Sequence, residues 1–140
     1  MLYKIPKIIS PELLKILDEM GHGDELVFGD GNFPAHSNND RVVRVDGHNV
    51  TELLDAILEL FPLDTIAGKY AFVMATSDGS TPPIWAKYQE VLRKHGWSDE
   101  LTGIERFAFY ERAKKAYVVV ETTETALYAN LIIKKGVVTE

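Results

Sequence analysis

Two hydrophobic periods alternate along the whole 140-residue sequence, and this alternation constrains the fold more than any other feature. Leu13, Leu14, Ile16, Leu17 and Met20 recur at helical spacing, and the short apolar run Leu26-Val27-Phe28 follows. Val50, Leu53, Leu54, Ile57, Leu58 and Phe61 repeat the helical pattern, and Tyr70 to Ala75 repeats the run. Ile84, Trp85, Tyr88, Val91 and Leu92 form a third helical face, and Tyr117 to Thr122 is a strongly β-branched segment. A helix shows a stripe of period 3.6, whereas a strand buried on both faces is apolar throughout. Interleaving the two requires a sheet covered by helices, so the class is α/β rather than all-α or sandwich.

Local signals punctuate this pattern. Ser10-Pro11-Glu12 reads as an N-cap, a proline in the first turn and an acid against the helix dipole, with Gly21 as the expected C-cap. Asn49 and Glu52 have the spacing of a capping box, and Pro62 stops the helix they open. Arg41 to Val45 reads as a strand ending in the turn pair Asp46-Gly47. Thr81-Pro82-Pro83 opens a helix that closes near His95-Gly96. Ile104 to Phe109 fits a strand or a helix start, Phe109 to Ala116 a helix with Glu111, Lys114 and Lys115 toward water, and Tyr128 to Val138 one strand or two. There is no internal repeat, low-complexity tract or linker, so residues 1–140 are expected to form a single domain.

Composition then removes function classes. The formal net charge of -6, with Lys114-Lys115 and Lys134-Lys135 only as pairs, offers no basic stripe for nucleic acid. The absence of cysteine excludes disulfides, thiolate catalysis and Cys-ligated zinc. The first residues, Met1 to Lys7, lack the apolar run of a signal peptide, and no apolar stretch approaches the roughly 18–20 residues of a membrane span. A cytoplasmic protein without membrane contact is expected.

Candidate chemistry concentrates in Gly21 to His36. These sixteen residues hold two His, three acidic groups, one Asn and four Gly around a single apolar run. Glycine permits close approach of backbone to ligand, and an imidazole titrates near neutrality, so the segment suits proton transfer better than packing. Asp30 follows the Leu26-Val27-Phe28 strand, where ligands bind in open α/β sheets.

Taken together, Ser10-Pro11-Glu12-Leu13-Leu14, Met20 to Glu25, Asn32-Phe33-Pro34, Asp46-Gly47, Leu63-Asp64-Thr65, Arg106 to Ala113 and Tyr128-Ala129-Asn130 running into Lys134-Lys135-Gly136 resemble the L-fucose mutarotase / D-ribose pyranase family, on its fucose side. The matching pieces run from Ser10 to Gly136 in family order. The resemblance implies a three-layer α/β/α domain with a mixed, mostly parallel sheet. It implies ring-like homo-oligomers, often decamers, with active sites near subunit contacts. The implied reaction interconverts the α and β anomers of a free monosaccharide, L-fucose or a close relative, with no cofactor and no metal. By residue, it implies His22 as a catalytic histidine and Asp30 as a substrate-binding aspartate. Asp64 and Arg106 are implied as further substrate contacts, and Tyr128 with Asn130 as the C-terminal sugar-binding pair, whose Tyr128 is also a candidate proton carrier. The chain departs from the family's usual Ala-Asp-Ala before Asn-Phe-Pro: here Asp30 lies between Gly29 and Gly31.

Each residue has a plainer reading as well. A histidine after a helix end is a favourable cation at the dipole's negative pole, and an aspartate between glycines is a turn former. Asp64 after Pro62-Leu63 also fits a cap, and Arg106 a surface partner of Glu105 or Glu111. Tyr128 and Asn130, two apart, would point the same way if they lie on a strand. Tyr110 fits the core, and His36, His48 and His95 fit the surface. Trp85, Tyr88, Phe107 and Phe109 fit either core or a subunit contact. Two rival functions use the same residues. One is a metal-dependent hydrolase built on His22, Asp24, Asp30, His36 and Asp40, for which no helical ligand spacing is present; the other is a non-catalytic sugar-binding module.

Overall fold

The computed structural model describes residues 1–140. Helix α1 (Pro11–Glu19) begins as its sequence predicts, with Ser10 Oγ accepting the Leu13 N–H at 3.1 Å. Its end differs: Met20, buried and extended, is the C-cap, and the left-handed glycine is Gly23 (φ +85°) rather than Gly21. The Asp24 carboxylate accepts the Gly21 N–H at 2.7 Å and closes the connection through a side chain, so a left-handed Gly21 is not needed. Strand β1 (Glu25–Gly29) follows, then a four-residue helix α2 (Ala35–Asn38) that the sequence does not announce.

After β2 (Val42–Val45), helix α3 (Val50–Leu58) carries the expected reciprocal box between Asn49 and Glu52. Then come β3 (Ala71–Met74), α4 (Pro83–Lys94) and β4 (Thr102–Ile104). The ambiguous segment resolves at Glu105, whose carboxylate accepts the N–H groups of Phe107 and Ala108 and starts α5 (Arg106–Lys115). Strands β5 (Val118–Thr122) and β6 (Leu131–Lys134) complete the chain.

All six strands form one sheet in the order β2-β5-β1-β6-β3-β4. The β1–β5, β2–β5 and β3–β4 pairs are parallel, and β6 alone runs antiparallel, between β1 and β3. Alternate strand residues feed two cores, as a pleated sheet requires. Leu26, Phe28, Val118, Val120, Leu131 and Ile133 pack with α1, α3 and α4. Val27, Val119, Ile132 and Phe72 pack with α5 and α2 through Phe109, Ala113 and Ala35. The result is the expected three-layer α/β/α arrangement with a mixed, mostly parallel sheet. On the smaller face Arg112 clamps α5 to β1, donating to both Glu25 carboxylate oxygens at 2.7–3.0 Å while stacking 3.7 Å from the centroid of Phe72. No helix is long and apolar enough to cross a membrane.

Candidate active site

The six candidate residues fall into two groups at opposite ends of β1. The first lies where parallel strands end, the usual ligand edge of such a sheet. Asp30 leaves β1 in a tight turn: its Oδ1 accepts the Asn32 N–H at 2.9 Å, and its own N–H donates to Asn130 Oδ1 at 2.8 Å. Burial lifts the Asp30 carboxyl above its ordinary value, with the Glu124 charge adding to the rise, while the N–H groups of Asn32 and Phe33 oppose it. Asn130 is buried and immediately precedes β6.

Tyr128 corrects the expectation of a strand. It sits in a loop with φ +55°, a left-handed conformation that is unusual for a residue with a side chain. The two-residue spacing from Asn130 therefore does not align the side chains, and loop contacts place Tyr128 instead. The Trp85 indole donates to its carbonyl at 3.0 Å, the Tyr88 hydroxyl donates to the Ala129 carbonyl at 2.5 Å, and the Ser77 N–H approaches the phenol oxygen at 3.5 Å. An open groove of about 700 Å³ borders Tyr128, lined also by Ser77, Thr81, Lys87 and Leu127. Arg106, the first residue of α5, is exposed and within electrostatic reach of Tyr128. It pairs with neither Glu105 nor Glu111. Its Nε donates to the Tyr110 hydroxyl at 3.3 Å, and Tyr110 packs in turn on Phe33.

The second group is His22 with Asp64, before β1 and beyond the end of β6. Asp64 is 1% exposed and anchored to that strand end, its N–H donating to the Lys134 carbonyl at 3.0 Å. Its Oδ1 accepts from His22 Nε2 at 3.1 Å and from the backbone of Ile66 and Ala67. Burial alone would raise this carboxyl, but the His22 bond and the two N–H groups hold it below the ordinary range. The His22 side chain is 45% exposed, so the ring is held at one nitrogen and open to solvent elsewhere. Gly136 makes this corner possible: a Cβ there would collide with the Leu63 carbonyl, and its N–H donates to the Pro62 carbonyl at 2.8 Å.

Between the groups runs β1, about 13 Å long at ~3.3 Å per residue. Within one chain Asp30 therefore does not orient the His22 imidazole; Asp64 does. Within one chain the same separation keeps His22 and Asp30 from sharing a metal centre. The carboxylate–imidazole cluster that does gather is Asp55, Glu59 and His95, on α3 and α4's end, where Lys94 donates to both Asp55 oxygens at 2.9 Å. His95, expected at the surface, has a side chain only 9% exposed and binds Asp55 at 2.7 Å. Tyr88 and Phe109 are fully buried, whereas Phe107 is exposed. The sequence reading missed Glu121, a buried carboxyl beside Gly29, and the holding role of Trp85 and Tyr88. A lone acid inside a β-branched strand was the available signal for Glu121.

A model of the RbsD / FucU transport protein family matches residues 3–138. The chain belongs to this family. Among its members, a fucose mutarotase of Danio rerio is 52% identical, the match covering 96% of this chain and 92% of the relative. The crystal structure of a Streptococcus pneumoniae fucose mutarotase in complex with L-fucose superposes with a TM-score of 0.94 at 49% identity, covering 99% of this chain and all of that one. The FucU structure from Bifidobacterium longum gives 0.92 at 53% identity, covering 97% and 99%.

Proposed function

We propose that this chain interconverts the α and β anomers of L-fucose, or of a closely related free sugar, by acid–base ring opening and closure. The observation that carries the reading is the His22–Asp64 pair: an exposed imidazole, hydrogen-bonded to a buried carboxylate, in a chain about half identical to fucose mutarotases. In the reaction a base takes the proton of the anomeric hydroxyl while an acid protonates the ring oxygen, and the C1–O5 bond breaks to give the aldehyde. The aldehyde carbon turns about C1–C2, and the reverse transfers close the ring on its other face. His22 is one partner, held by Asp64 so that its remaining nitrogen meets the sugar, and Tyr128 is the other. Asp30, Asn130 and Arg106 hold hydroxyls.

Because β1 separates His22 from Asp30 and Tyr128, one chain supplies two half-sites, and a complete site joins the His22 end of one copy to the Asp30 end of another. A ring-shaped homo-oligomer, a decamer in the family's manner, satisfies this arrangement with every half-site used. Residues 1–140 act in it as a single domain, in the cytoplasm, without a cofactor. Saturation-transfer NMR on a panel of free sugars tests the reading. Accelerated exchange of L-fucose, surviving excess chelator and reduced about 10²–10⁴-fold in His22→Ala, is the expected result. Binding without acceleration would instead make the chain a sugar-binding module, and loss with chelator a metal enzyme.

A further inference from the structure

Glu121 is 4% exposed, and its Oε1 has no hydrogen-bond partner. It lies on β5 in register between Gly29 of β1 and Arg44 of β2. A Cβ built on residue 29 would stand 2.5 Å from Glu121 Oε1 and 3.1 Å from Phe33 Cβ, so the carboxyl occupies the space that a side chain at 29 would fill. The next residue, Thr122, donates its hydroxyl to the Gly29 carbonyl at 2.7 Å. Two consecutive residues of β5 thus fix both the carbonyl and the open face of Gly29, and Asp30 is the residue that follows.

The surroundings do little to neutralise a charge on Glu121. Arg44, its neighbour across the strands, turns its guanidinium to Asp46 at 3.1 Å. Asp46 and Asp30 are the anions facing it, and α2 offers the Ala35 N–H. Burial pushes the carboxyl up to about 7, with Arg44 opposing and the two aspartates adding to the rise.

We propose that Glu121 is a positioning residue for the sugar site, matched to Gly29, whose carboxyl packs against that glycine and fixes the turn presenting Asp30. The proposal rests on Asp30 binding sugar, as argued above. In its acid form the carboxyl can stay where it is. Once ionised it is a buried charge without a counter-ion at bonding distance, so it turns toward water or takes Arg44 from Asp46. Either movement uncovers Gly29 and loosens the turn, and sugar affinity falls as pH rises through about 7.

The test measures L-fucose affinity by calorimetry, with anomer exchange alongside, for wild type, Glu121→Gln, Gly29→Ala and the double variants. Between about pH 6 and about pH 8 the wild-type affinity should fall roughly threefold more than that of Glu121→Gln, whose shape is kept and whose charge cannot form. The two proteins differ only at residue 121, so the difference between their profiles reports Glu121. Gly29→Ala should weaken binding about tenfold through overpacking; adding Glu121→Ala should restore most of it, and adding Glu121→Gln should not. Superposable pH profiles of wild type and Glu121→Gln overturn the proposal, as does a Gly29→Ala defect indifferent to residue 121. If Gly29→Ala fails to fold, the Glu121→Gln profile decides alone. A wild type that binds L-fucose without accelerating exchange refutes the catalytic reading, and the affinities still judge Glu121. A wild type that binds no free sugar refutes both.

Discussion

Asp64 holds the His22 ring with the same oxygen that receives the N–H groups of Ile66 and Ala67, so it cannot release the imidazole without disturbing its own turn. With the carboxylate ionised, the proton sits on Nε2 and Nδ1 is left to act as a base. Asp64→Asn keeps an oxygen on the Ile66 and Ala67 N–H groups but removes the charge that supports the imidazole, and should lower kcat for exchange by about 10–100-fold with a smaller change in KM, read by saturation-transfer NMR. Because the Asp64 carboxyl is held low, its stabilising contribution is present above the ordinary aspartate range and is lost as acid carries the pH through its depressed value. Glu121 has the opposite sign. Raised from 4.5 to about 7, it stabilises fully below the lower value and contributes nothing above the upper one. At pH 8 Glu121→Gln should therefore be more stable than wild type by on the order of 1–2 kcal/mol, the gap closing toward pH 5, as thermal unfolding at both values would reveal. The sequence marked His22 by its setting among glycines. It could not pair His22 with Asp64, nor Glu121 with Gly29, because no local pattern relates residues that meet only across the folded sheet.

Helix α4 packs on the sheet, yet its indole and phenol also hold the carbonyls of Tyr128 and Ala129. Those bonds keep a tyrosine in the left-handed region, where backbone strain of about 1–3 kcal/mol must be overcome by its surroundings. Tyr88→Phe leaves the buried Ala129 carbonyl unpaired, so it should lose about 1–3 kcal/mol in urea unfolding and lower exchange with it. Periodicity predicts α4's inward face, including Trp85 and Tyr88, because burial is what periodicity reports. Hydrogen bonding by the tips of those side chains is invisible to it. The same limit explains the elements that went unseen. All three residues of β4 are half-exposed or exposed, and of the four in α2 only Ala35 is buried; both exist through their neighbours, β3 and α5, rather than through any pattern of their own.

At the scale of the whole molecule, the expected three layers follow from the alternation of periods, and the antiparallel direction of β6 does not, since strand patterns carry no polarity. The proposed division of the site between copies predicts a behaviour that only an assembly can show. His22→Ala and Asp30→Ala subunits, each inactive, should regain about a quarter of wild-type exchange when unfolded, mixed equally and reassembled, because random pairing reunites intact halves at that frequency. Recovery absent from well-formed mixed oligomers would place the whole site within one chain.

Strand β6 starts beside Asn130 and finishes beside the backbone that carries Asp64, so a single four-residue strut bears on both ends at once. In the assembly proposed above, its length would set the spacing from one reaction centre to the next. An inserted residue there would invert its pleat and push both margins out of alignment together, halting turnover even though every chemical group remained.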